Sequence, residues 1–128
     1  MTSRTERLRK LVEVQERLKA FHEMRRATAL SEATAAGREA AELAARFDAV
    51  DSLTDLFPDL YAKAIQRARR RQDHKLASAQ IEAGHVATQT ARTNMVERSW
   101  REAARADERQ AEDRATLEAV ERTLVTRK

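Results

Sequence analysis

Along the first part of the chain, apolar residues recur at steps of three and four: Leu8, Leu11, Val14, Leu18, Phe21. That spacing puts them on one face of a helix. A second run follows at Leu30, Ala33, Gly37, Ala40, Ala44 and Phe47. Between the two, Arg25, Arg26 and Thr28 break the register in the manner of a stammer. The second part of the chain repeats the pattern with Leu60, Ala64, Ile65 and Ala68, then Leu76, Ala79, Ala83 and Val86. Polar Thr90 and Thr93 intervene before Val96, Trp100 and Ala103, and a last stripe runs Leu117, Val120, Leu124.

One break interrupts the periodicity. Phe47 to Asp59 holds the single Pro, Pro58, whose ring disfavours helical backbone at Phe57 and presets its own φ for a first helical turn. Asp59 then sets a carboxylate near the N-terminus of the new helix. The pattern predicts an all-α chain: helix one over about 3–46, a tip at 47–58, and a longer helix two over about 59–126. Helices of that length need a packing partner along their sides. An antiparallel coiled-coil hairpin, read as a single domain, supplies it. If Phe47 faces Leu60, facing residue numbers sum to about 107, which brings Leu30 to Leu76, Phe21 to Val86, Leu11 to Val96 and Leu8 to Trp100. Gly37 then falls opposite Arg69–Arg71. Helix one runs out near residue 103, so about 23 residues of helix two project beyond it, still bearing Leu117, Val120 and Leu124. An apolar seam on an unpaired helix requires a partner.

Composition narrows the class further. With 2 Gly, 1 Pro and 4% aromatic residues in 128, the chain lacks the turns and the bulk of a sheet protein. Phe47, Val50, Leu53, Leu56, Phe57 and Tyr61 concentrate apolar bulk at the tip and are expected to form a small cap there. No cysteine is present, which excludes a disulfide framework or a thiolate metal site. The first residues are charged and lead into no apolar region, and no run approaches the ~18 apolar residues of a membrane span. The expectation is a cytoplasmic protein without membrane insertion.

Net charge is +4, but it is unevenly placed. Residues 47–60 carry four aspartates and no base, whereas 61–75 carry six bases, Lys63, Arg67, Arg69, Arg70, Arg71 and Lys75, against Asp73. A dipolar tip of this kind differs from a uniformly basic nucleic-acid footprint. The cluster reads first as a solvated face, next as a protein-docking patch, and last as a nucleic-acid contact.

Catalytic constellations are missing. His22, His74 and His85 are scattered, and the phosphate-loop, nucleophile-elbow and dinucleotide glycine motifs are absent. Glu82–His85 has the Glu-x-x-His spacing of di-iron bundles, but those need two such motifs and further carboxylates. The expectation is a non-enzymatic protein with no cofactor, no metal and no small-molecule substrate.

Ser99-Trp100-Arg101-Glu102, followed by the Arg/Gln/Glu-rich stretch Arg105 to Arg122 and the basic Arg127-Lys128, resembles the flagellar export protein FliJ family. The YscO-type stalk proteins of virulence type III secretion are similar. The tip, Leu56-Phe57-Pro58-Asp59-Leu60-Tyr61, looks like a compact form of a subgroup. The resemblance implies a coiled-coil stalk whose helix termini insert into the ring of a hexameric export ATPase. Further partners would be an export-gate membrane protein and export chaperones, at the inner-membrane export apparatus. Candidate partner-binding residues are Leu117, Val120, Leu124, Trp100, Arg101, Phe57, Tyr61, Arg69, Arg70 and Arg71. Two other readings of the same residues are a self-associating helical scaffold and, last, a nucleic-acid-associated helical protein using residues 63–75.

Overall fold

The computed structural model describes residues 3–49 and 56–127. They form two helices packed against each other, α1 (Arg4–Asp48) and the longer α2 (Pro58–Thr126), with no strand among the described residues. The fold is the all-α helical hairpin. Local chemistry sets the helix starts. Ser3 Oγ accepts from the Glu6 N–H at 3.2 Å, and Ser3 with Glu6 has the spacing of a capping box. Pro58 occupies the first position of α2, where its missing N–H costs nothing, and Asp59 lies in the first turn.

The chain divides into two compact units, unit 1 (Met1–Arg17 with Gln89–Lys128) and unit 2 (Leu18–Thr88). In unit 2 the helices run antiparallel: Glu32 faces Lys75 and Arg25 faces Glu82, both pairs summing to the expected 107. In unit 1 the antiparallel pairs are Gln15 with Gln89 and Thr5 with Asp107.

The face of α1 that is covered differs from the one the large apolar residues suggest. Its least exposed positions include Leu8, Gln15, His22, Ala29, Ala36 and Leu43, each seven residues after the last. On α2, Ala68, Lys75, Glu82, Gln89, Val96 and Ala103 repeat the same interval, and so do Ile65, Gln72, Ala79, Val86, Thr93 and Trp100. A strict seven-residue interval is the coiled-coil period. The expected stammer at Arg25–Thr28 is therefore absent: His22 to Ala29 is an unbroken heptad. Leu11, Val14, Leu18 and Phe21 lie outside the seam and remain exposed. Leu30, Leu76, Phe47 and Leu60, expected to face one another in pairs, are exposed as well.

The physical reason is size. The buried hydrophobic positions of the described residues are all alanines, Ala29, Ala33, Ala36, Ala40, Ala68 and Ala79, with Ala68 at 0% exposure. Small side chains let two helices approach closely, and alanines are the residues that become fully covered. Bulkier seam members such as Leu43 and Ile65 are only half-buried. At Gly37, a Cβ would meet Gln72 Nε2 at 2.7 Å, so a glutamine, and not Arg69–Arg71, lies over the missing side chain. Polar residues complete the seam with their own partners. Gln89 Nε2 donates to Gln15 Oε1, and the Thr93 hydroxyl donates to the Gln89 carbonyl at 2.7 Å.

Candidate partner-binding sites

Within unit 1, Ala103 and Ala104 are the last half-covered residues of α2; from Arg105 on, every described residue is exposed. Leu117, Val120 and Leu124 stand 62%, 50% and 60% exposed on this projecting stretch. Leu117 and Leu124 lie two and three heptads beyond Ala103, so they prolong the α2 seam past the end of its partner helix. Thr116 and Thr123 donate their hydroxyls to carbonyls four residues back, Glu112 and Ala119, at 2.9 Å. Their polar groups are thereby satisfied on the helix itself. Ala115, Ala119, Val120 and Leu124 line one shallow groove on this surface. The arrangement is an apolar edge on a helix made soluble by its charged flanks.

The other expected contact residues are more dispersed. Trp100 is half-buried in the α2 seam series, and Arg101 pairs with Glu97 one turn earlier at 2.9 Å. In unit 2, Tyr61 is half-buried and Phe57 is 50% exposed. Leu56 and Phe47 are exposed too, and Val50 and Leu53, the other members of the expected cap, lie outside the described residues. Arg69 and Arg70 are exposed. Arg71 bonds Glu39 at 2.7 Å and Lys75 bonds Glu32 at 2.5 Å. The basic cluster is thus neutralised in part by glutamates of α1.

One constellation escaped the sequence reading. Two of the three histidines come together: the rings of His22 and His85 lie with centroids 4.9 Å apart, tilted by 30°. The Nδ1–H of His22 donates to Glu82 Oε2 at 2.8 Å, and Arg25 Nε donates to Glu82 Oε1 at 3.0 Å. Arg25 also lies 5.5 Å from the centre of the Phe21 ring. Glu82 is 8% exposed, yet its carboxyl is held below the ordinary carboxylate range. The His22 hydrogen bond is the largest cause; burial opposes it, and the charges of Arg25, His22 and His85 add to it. The signal was present in the sequence, because 22 with 85 and 25 with 82 also sum to 107. Glu82 is committed to His22 and Arg25, and no group of three or more donor side chains among the described residues is placed to hold a metal ion.

No helix of the described residues is long and apolar enough to cross a membrane. Comparison with protein-family models, curated proteins and solved structures finds no match.

Proposed function

We propose that the protein is a non-enzymatic coiled-coil stalk or adaptor of a type III protein-export ATPase, acting in the cytoplasm beside the inner-membrane export apparatus. The observation that carries this reading is the projecting part of α2, on which Leu117, Val120 and Leu124 continue the helical seam with no helix against them. The FliJ-like Ser99–Glu102 segment and the Arg/Gln/Glu-rich stretch after it support the same reading. A single helix with a narrow apolar edge suits insertion into the mouth of a subunit ring. Each Leu or Val buried there contributes about 1.5–3 kcal/mol to association. The export gate and the export chaperones are further partners on this reading, met through other faces that include Trp100, Arg101 and the tip.

The test is capture of a hexameric export ATPase from cytoplasm, followed by its activation in vitro. Leu117→Asp combined with Leu124→Asp removes both capture and activation, as does deletion of residues 113–128. A double variant that still activates the ATPase rejects the insertion.

The same exposed seam favours a second reading, a scaffold that self-associates through α2. Solution mass separates the two: a monomer in the absence of partner fits the stalk, and a tight dimer lost in the double variant fits the scaffold.

A further inference from the structure

We propose that the projecting stretch of α2 pairs with the same stretch of a second copy of the chain, antiparallel, about a two-fold axis at Val120. Two charges point to this arrangement. Asp113 and Arg127 bracket a face on which Thr116, Leu117, Val120, Thr123 and Leu124 are all uncharged. Steps of three and four put these residues on one side of the helix. Thr116, Val120, Thr123, Leu124 and Arg127 line the same shallow groove. Among the described residues of unit 1, Arg101 is ion-paired with Glu97, whereas Asp113 and Arg127 have no such partner. They cannot serve each other within one chain, since fourteen residues of helix separate them by about 21 Å.

The midpoint of residues 113 and 127 is Val120. An antiparallel copy centred there brings Asp113 to Arg127 of the second copy, Val120 to Val120, and Leu117 close to Leu124. Two-fold symmetry makes each unlike pair twice. A parallel copy would instead set Asp113 on Asp113 and Arg127 on Arg127, with like charges at both ends. Thr116 and Thr123 ask nothing of a second copy, because their hydroxyls already donate to the Glu112 and Ala119 carbonyls. The face can therefore lose its water without stranding a donor. Seven residues a side fall well short of the ~20–30 of a standard interface, so the pairing is weak and reversible. It is a specific form of the self-association read from the exposed seam, and it rests on that reading. On the stalk reading, a ring and a second copy compete for the same leucines.

The chain holds no cysteine, so single cysteines at exposed positions report the pairing directly. Concentrated full-length variants are oxidised and the covalent dimer is followed on a non-reducing gel. Val120→Cys couples with itself, because Cα atoms facing each other on the axis come within the roughly 4.4–6.8 Å that a disulfide spans. Leu117→Cys and Leu124→Cys, mixed, couple with each other faster than either couples with itself. Asp113→Arg slows the coupling of Val120→Cys at least about threefold, the scale of two exposed ion pairs turned into like charges. Adding Arg127→Asp restores the rate. Ala111→Cys, exposed on the opposite side of the helix, supplies the background. The antiparallel pairing is rejected, and self-association kept, if Leu117→Cys and Leu124→Cys exceed that background equally fast alone and mixed. It is rejected too if Asp113→Arg leaves the rate unchanged. If no variant exceeds the background, self-association falls with it, and activation of an ATPase remains the separate test of the stalk.

Discussion

His22 and Glu82, sixty residues apart in the chain, are joined by a 2.8 Å hydrogen bond from an imidazole to a carboxylate at the helix seam. Few contacts of unit 2 define its register so narrowly. A one-residue slip of either helix would turn one partner out of the seam, because neighbouring residues lie about 100° apart around a helix. The same carboxylate takes Arg25, so both of its oxygens are engaged from α1.

Glu82 makes the hairpin sensitive to strong acid. Its folded carboxyl sits below the ordinary value of 4.5, so it contributes stability above that value in the charged form. The contribution is lost as pH falls through the lower folded value. Glu82→Gln therefore lowers the melting temperature at pH 7. The difference from the native chain narrows as both are taken below about pH 4.5, read by thermal melting across that range.

The two glycines report on helix backbone and packing separately. Gly84 lies inside α2 with open space where a Cβ would go. Gly84→Ala accordingly stabilises by about 0.5–1 kcal/mol, the helix-propensity difference, measured by urea unfolding. At Gly37 the same gain is reduced, because the new methyl meets Gln72 and the flexible amide must move aside. Gly37→Ala is expected to stabilise less than Gly84→Ala.

The alanine seam sets a limit on volume. Ala68, fully enclosed in unit 2, has no room for a larger side chain. Ala68→Leu is expected to destabilise by about 1–3 kcal/mol through forced separation of the helices. Enlarging the exposed Ala77 to Leu should change stability by less than about 0.5 kcal/mol, the ordinary range for surface positions. Equal effects at the two positions would show that Ala68 is not confined.

The projecting stretch of α2 is expected to tolerate charge without loss of fold. Leu117→Asp with Leu124→Asp touches residues already exposed, so helicity and melting temperature stay nearly those of the native chain. Unfolding of the double variant would mean that these leucines belong to an internal core.

The sequence by itself determined the helical class, the break before Pro58, the greater length of the second helix and the seam that outlasts its partner. Each follows from local chemistry or from counting: scarce glycine and proline, one ring that ends a helix, and apolar residues at three-and-four spacing. Even the antiparallel register was legible, since Glu32 with Lys75 and Arg25 with Glu82 obey the sum expected from Phe47 and Leu60. Which face of α1 is covered was decided only by tertiary structure. Leu11, Val14, Leu18 and Phe21 make the more apolar stripe, yet they stay exposed, while the fully buried apolar positions of α1 are the alanines Ala29, Ala33, Ala36 and Ala40. Close approach selects the small face, and the positions left on it near the middle of the hairpin are Gln15, Lys19 and His22. Gln15 and His22 persist in the seam because α2 presents Gln89 and Glu82 to them, and each hydrogen bond offsets the cost of burial. Hydrophobic spacing identifies a helix, whereas the volume and hydrogen bonding of both partners choose its buried face.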